Sequence, residues 1–515
     1  MSSKKKATLL MLILAILNSG LVAIFNLIYN NLIMRNYGSD INGLISTLTQ
    51  FVGLFAIIEG GFTTAAVVSI YEPYTTKNYE KLNDILYTTK RVYVRIGLII
   101  TIAVLAVGTI YLKFIDSPFS YNRTYMLLIV TVMSTSLSLC FQSKYTVLLQ
   151  GVNREYIQVG ISLIVKTLTW ILSIVLLVSY ADIIWVYGIN VLNIILNIGC
   201  NRWYEKKNFQ FATYKGNYDK RLIKGTGDVL FQKIANTLFT STDLVLISSG
   251  VGLAAASVYN LYQQIFRSIF GLLSSGVQAP FNSLGHLWSE GDKQKIDYYF
   301  KMYFKITLLA STIIFTITAS LIVNFVYVYT IGINDINYVR SELAILFFLQ
   351  YFVQIINRPF GTMLNVTGNF AKQNVQCAVA AIANLVISIV LMVKFGISGV
   401  IFGSFIGTSI ILVMNIYQCH LLVEGLKKMV FEIIVNMGAS LGLITYALHL
   451  GNMATSYYEW IILAVIFSLI EGVVMYALNF ALDYRWMAEF TKGIIKKIYR
   501  KRERVRWKSG TEIYQ

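Results

Sequence analysis

Apolar runs of about twenty residues, the length that crosses the hydrocarbon core of a bilayer, recur along this chain from one end to the other. They lie near 7–30, 41–70, 92–113, 124–149, 157–180, 183–203, 225–249, 251–281, 302–330, 340–361, 371–394, 397–422, 432–450 and 458–482. In lipid every backbone polar group must be satisfied within the segment, so each run reads as a helix. A soluble fold is excluded by the same feature. The chain is 56% hydrophobic and only 13% charged, against about 25% charged in soluble domains. The expectation is an all-α polytopic membrane protein of about fourteen transmembrane helices. The first run follows Lys4, Lys5 and Lys6 but is too long for a signal peptide and has no small-residue cleavage site.

The net charge of +18 does not point to nucleic acid, because it is collected on one side of the expected spans. Lys77, Lys81, Lys90, Arg91, Arg154, Lys206, Lys207, Lys215, Lys293, Lys295, Lys372, Lys427 and Lys428 fall on the side of both termini. The opposite loops hold Arg35, Lys113, Arg123, Arg340 and Lys394. The positive-inside rule then predicts cytoplasmic termini. The four cysteines (Cys140, Cys200, Cys377, Cys419) form no CxxC pair and the three histidines are scattered. No metal or cofactor is expected. Walker A and HExxH motifs are absent, and no external loop is large enough for a glycosyltransferase or ligase site, so no enzyme activity is expected.

An internal repeat is visible. NLIMRNYG (31–38) matches DLVLISSG (243–250), the basic loops KNYEKLND (77–84) and GDKQKIDY (291–298) correspond, and QGVNRE corresponds to TGNFAK before the next helix. The offset stays between 212 and 217 residues. Spans 1–6 therefore match spans 7–12 with the same orientation, as parallel repeats with a substrate path between them. The expected organisation is a six-helix bundle over 1–203, a basic linker over 204–224, a second bundle over 225–422, two added helices over 423–482 and a basic tail over 483–515.

Polar residues within spans cluster by angle. Asn260, Gln264, Arg267, Gly271, Ser274 and Gln278 share one face of span 8, bordered by Tyr259 and Gln263. Span 7 carries Asp228, Gln232, Asn236 and Asp243; span 5 carries Gln158, Ser162, Lys166, Thr169 and Ser173. Small and polar residues also mediate helix packing, but a mid-span cation costs roughly 2.5–3.5 kcal/mol and is retained for a partner. Arg267 and Lys166 are the expected anion contacts, with Asn260, Gln263, Gln264, Gln232, Asn236 and Gln278 beside them. Lys144 and Arg358 sit nearer span ends and read as snorkelling cations. The acids Asp243 and Glu59 are candidates for ion coupling; for Asp243 a structural acceptor role stands equally open. Glu471 reads as structural.

STDLVLISSGVGLAAASVYNLYQQIF (241–266), with its Asp near the end of span 7 and Tyr-rich start to span 8, resembles polysaccharide-repeat flippases of the multidrug/oligosaccharidyl-lipid/polysaccharide exporter superfamily. So does APFNSLGHLWSEGDKQK (279–295). One departure is that such proteins often carry Arg near the position of Gln264, whereas here the cation is Arg267. The resemblance implies transfer of an undecaprenyl-diphosphate-linked oligosaccharide across a bacterial inner membrane for capsule or O-antigen synthesis. It also implies membrane lipids, a proton or sodium ion, and other polysaccharide-assembly proteins as partners. The alternative in the same superfamily is a cation-coupled drug antiporter, which would favour an acidic cavity.

Overall fold

A computed structural model describes residues 3–56, 58–219, 223, 241–277, 284, 287–288, 290–367, 370–451 and 454–492. Side chains at 3–13, 15–16, 56, 58–61, 64, 275–277 and 370–372 are outside the description. The described chain is helical throughout: α1 (Ser3–Tyr37), α2 (Ser39–Ala56), α3 (Ile58–Thr75), α4 (Tyr79–Tyr111), α5 (Tyr121–Leu137), α6 (Ser143–Gly151), α7 (Glu155–Val178) and α8 (Ile183–Asn208). There follow α9 (241–250), α10 (Leu253–Val277), α11 (Lys293–Tyr329), α12 (Ser341–Val366), α13 (Phe370–Cys419), α14 (Leu426–His449) and α15 (Tyr457–Leu482). A last helix, α16, covers 484–492.

Among the described residues, ten stretches are long and apolar enough to cross a membrane. The difference from fourteen has local causes. The eleventh and twelfth spans run together as α13, which turns at Gly396 (φ 55, ψ −129). Only the end of the seventh span is described, the second span is divided between α2 and α3, and the eighth, the polar-striped α10, is not among the ten. The fourth span holds together through a π-turn, Ser138–Gln142, between α5 and α6.

The repeat reappears in backbone geometry. Left-handed φ occurs at Gly38 and Gly252, at Lys77 and Gly291, and at Tyr180 and Gly396, pairs separated by 214, 214 and 216 residues. Asn78 caps α4 by accepting from Lys81 N, and Asp292 caps α11 by accepting from Lys295 N, again 214 apart. The glycine that turns the chain after α9 is thus Gly252, two residues beyond the Gly250 that sequence matching sets against Gly38. Gly250 lies inside the helix with Met392 against it.

Of the stretch expected as a basic linker, residues 204–219 are structured. α8 runs to Asn208, and the following chain is strapped to α4. Asn83 Oδ1 accepts from Thr213 N at 2.8 Å, Asp84 Oδ1 from Asn217 N at 2.6 Å, and Thr88 Oγ1 from Asp219 N at 3.1 Å. Gly216 packs so closely on Asp84 that a Cβ would meet its carboxylate at 2.3 Å. Burial is divided in the same way: one large apolar cluster draws on residues from Leu244 to Ile444, and two others on residues before 224, with Leu253 and Met34 crossing over.

Candidate functional site

α2 and α10, equivalent helices of the two repeats, pack directly on each other. At one end the contact is backbone to backbone. A Cβ on Gly43 would lie 1.8 Å from the Leu253 carbonyl oxygen, so only glycine fits there. From that point a row of hydrogen bonds joins the repeats. Asn42 Nδ2 donates to Ser257 Oγ at 2.6 Å, Asn260 Nδ2 to Ser46 Oγ at 2.9 Å, and Asn30 Nδ2 of α1 to Gln264 Oε1 at 2.7 Å.

The row continues outward into the α11–α12 loop. Asp335 accepts from Ser39 N at 2.7 Å and from Ser39 Oγ at 2.8 Å, so a carboxylate from the second repeat caps α2 of the first. Tyr338 OH donates to Ser39 Oγ at 2.6 Å, Asn31 Nδ2 to the Tyr329 carbonyl at 2.7 Å, and Arg35 to the Ile331 carbonyl at 3.0 Å. The end of the molecule away from Lys77, Arg154 and Lys293 is therefore laced shut.

The row stops at Gln264. Arg267, one turn on, is exposed and has no hydrogen bond, ion pair or ring contact among the described residues. The space around it opens: a Cβ on Gly271 of α10, or on Gly53 of α2, would meet no atom within 4 Å. The two helices touch at Gly43 and have parted by Gly53 and Gly271, so a cleft widens toward the basic end with Arg267 at its apex. Arg358 of α12, which its position alone assigns to snorkelling, sets its guanidinium 5.3 Å from the Phe270 ring centroid. Phe270 is three residues from Arg267, so two cations share this wall of the cleft.

The expected site residues divide. Asn260 and Gln264 are on the inter-repeat seam, spent on partners in α2 and α1. Gln263 is not on it; it is buried in the second bundle and donates to Tyr259 OH at 2.9 Å. Lys166 is half-buried on α7, one turn before Trp170, which stacks on Phe25 of α1 at 4.2 Å. No described contact joins it to Arg267. Gln232, Asn236, Gln278 and the Glu59 side chain lie outside the described residues.

Asp243 is enclosed in the second bundle, 1% exposed. Its Oδ2 accepts from Ser404 Oγ at 2.6 Å and from Tyr259 OH at 3.1 Å. Ser404 also meets Asn384 Oδ1 at 3.3 Å, and Ser388 Oγ donates to the same oxygen at 2.8 Å. Asp243 Oδ1 accepts nothing. The helices meet closely here, since a Cβ on Gly403 would lie 2.2 Å from Ser388 Oγ. Span-by-span reading passes over Asn384, Ser388 and Ser404. Their signal is the i, i+4 pairing of Asn384 with Ser388 and of Ser404 with Thr408 in otherwise apolar helices. Among the described residues no group of three or more His, Cys, Asp or Glu side chains could hold a metal ion.

No family model matches this sequence, and no curated protein matches it. Solved structures do. The lipid II flippase MurJ in an inward closed conformation aligns with TM-score 0.64 at 12% identity, over 91% of this chain and 99% of that one. An inward-facing multidrug resistance MATE family transporter of the MOP superfamily aligns with TM-score 0.62 at 13% identity, over 81% and 94%. An outward-facing MATE family transporter of that superfamily gives 0.54 at 14% identity, over 85% and 96%. The chain is a multi-pass membrane protein with the all-helical fold of these solved transporters.

Proposed function

We propose that this protein flips a lipid-diphosphate-linked oligosaccharide from the cytoplasmic to the outer face of a bacterial inner membrane, by alternating access between two bundles over 1–203 and 225–422. The observation that carries the reading is Arg267: a cation deep in a membrane helix, at the point where the inter-repeat hydrogen bonds end and the cleft begins. An unpartnered guanidinium is costly there. A diphosphate supplies its counter-charge through the planar fork. Arg358 lies toward the mouth on the same wall, and Lys166 contributes a point charge from the first bundle. The seam of Asn42, Ser46, Asn260 and Asp335 serves as the outer gate, and the basic end is the cytoplasmic entrance. Asp243, in its polar enclosure, carries the coupling proton or sodium ion.

Charge-assisted contacts contribute about 1.5–3 kcal/mol, which is roughly one to two orders of magnitude in rate. Arg267→Ala therefore lowers export of the polymer by that factor in a strain lacking its own flippase, and Arg267→Lys restores part of it. Membrane levels of each variant are measured alongside. Full export by an expressed Arg267→Ala protein, together with full export by Lys166→Ala, overturns the cationic cleft.

A further inference from the structure

The two helices without a counterpart in the repeat, α14 and α15, turn polar groups toward α11. Both pack on α11 and on each other. Of the 26 residues of α15, only Glu471, Met475 and Asn479 are buried. The buried face of α14 carries Glu432, Asn436 and Ser440, one turn apart. On α11, Thr312, Thr316 and Ser320 have the same spacing and are each no more than 1% exposed.

These groups form a column joined level by level. At the basic end of the molecule Lys305 pairs with Asp483 and meets Glu432 at 3.4 Å. A cavity of about 10 Å³ opens beside them and Asn479, room for about one water. One level in, Asn479 Nδ2 donates to Asn436 Oδ1 at 2.8 Å. At the next, Thr316 Oγ1 donates to Ser440 Oγ at 2.8 Å. A further turn along α11, Ser320 faces Glu471 of α15. Beyond Glu471 this side of α15 reads Phe467, Leu463 and Trp460, and Trp460 Nε1 donates to the Leu321 carbonyl at 3.3 Å. On α15, polar groups therefore lead to Glu471 from one end only.

Amides and hydroxyls that pair across helices serve as glue in lipid, and Asn436 with Asn479 needs no other account. Glu471 does not fit that account. It is 3% exposed, and its Oε2 and the Ser320 Oγ are both buried without a hydrogen bond. An ionised carboxylate deep in a span is costly without a cation. The next charged groups on α15 are Asp483 and Glu459, each twelve residues away, which is roughly 18 Å along a helix. Lys305, Lys428 and Glu432 stand with Asp483, and His449 ends α14 on the other side. A proton on Oε2 answers both observations. It removes the charge, and it makes an O–H for which the Ser320 hydroxyl is the facing acceptor.

We infer that Glu471 is a proton-binding site, filled and emptied through the polar column from the basic end of the molecule, with its proton bridging to Ser320 of α11. A hydronium ion at the cavity gives up the proton and leaves as water, and Oε2 keeps it as O–H. The site is separate from the Asp243 enclosure, which α9, α10 and α13 build.

The test uses the purified full chain in lipid vesicles, carrying Asp243→Asn so that this acid adds no signal. Infrared spectra of the protein with and without Glu471→Gln, a near-isosteric change, are subtracted. The difference is expected to show the carbonyl band of a protonated carboxyl, which moves in deuterium oxide and disappears as the pH is raised. Ser320→Ala moves the band to that of a carboxyl without an acceptor. Asn436→Leu with Asn479→Leu removes both members of that pair together, a change that is nearly neutral for folding. It leaves the band in place but slows deuterium exchange by about tenfold or more, the barrier cost of one lost hydrogen bond. No Glu471-dependent band, or a band that ignores deuterium or pH, overturns the site. Exchange as fast in the paired-leucine protein as in its parent overturns entry through the column. The readout is a bond, so it stands or falls apart from what the cleft carries.

Discussion

Asp243 shows how far a single residue can be read before its neighbours are known. Sequence places an acid in a membrane span beside a polar stripe, and leaves a coupling ion and a structural acceptor equally open. The enclosure narrows the question, because two hydroxyls converge on Oδ2 while Oδ1 is left without a donor. Asparagine is nearly isosteric and can still accept at the Oδ2 position. Asp243→Asn is therefore expected to fold and to reach the membrane at normal levels, and to lose at least about tenfold of gradient-driven transport if the site stabilises its ion by ~1.4 kcal/mol or more. Transport into vesicles with and without an imposed gradient checks this; an Asn variant that responds to the gradient like the parent assigns Asp243 to structure alone. Gln263 teaches the opposite lesson. Its place beside the α10 stripe suggested a cavity wall, but a border residue on a helix turns inward or outward according to packing, and here it donates to Tyr259 inside the bundle.

At the scale of elements, the sequence resolves what depends on apolar length and loses what depends on backbone detail. The α7 and α8 spans were legible within a few residues because hydrophobic runs set them. The π-turn in the fourth span and the glycine turn that separates the eleventh span from the twelfth were not. The α14–α15 pair likewise reads from sequence as an addition with no stated attachment. In the structure a charge cluster fixes it to α11: Lys305 pairs with Asp483 and meets Glu432 at 3.4 Å, and Lys428 meets Asp483 at 3.0 Å. Partial burial pushes the Asp483 carboxyl up, but the Lys305 and Lys428 ammoniums outweigh it and hold the group down to about 2. A depressed carboxylate stabilises fully above its unfolded value of about 3.9 and loses that contribution as pH falls through the folded one. Thermal stability of the parent should drop between about pH 4 and pH 2 by more than that of Asp483→Asn, while at neutral pH the variant is the weaker of the two. Parallel unfolding scans of the two proteins measure it. Coincident pH profiles would remove Asp483 from the attachment.

For the whole molecule the repeat was legible from a steady offset alone, and the paired left-handed turns at 214 to 216 residues place it in the backbone. The state of the cleft was not legible, since a polar stripe looks the same whether it lines water or a facing helix. Asn260 and Gln264 proved to be seam residues, and Arg267 alone of that stripe's charged and amide groups among the described residues stands clear. If the seam is the outer gate, locking it stops the cycle. A disulfide between Ser39→Cys and Asp335→Cys, whose parent side chains are in hydrogen-bond contact, is expected to abolish export under oxidation and return it on reduction. Export that persists with the crosslink fully formed would show that transport does not require this end to part.

The divergence of α2 from α10 also gives the cleft a taper. It is closed by backbone contact at Gly43 and roomy by Gly53 and Gly271, so the opening is a wedge and not a tube. A wedge grades its contents by girth. A wide hydrated head fits where the helices have parted, and only a small charged group reaches the apex where Arg267 waits. A molecule that is bulky at one end, narrow and anionic in the middle and thread-like beyond can seat itself in one orientation only. On this account direction is imposed by the shape of the opening before any ion has moved.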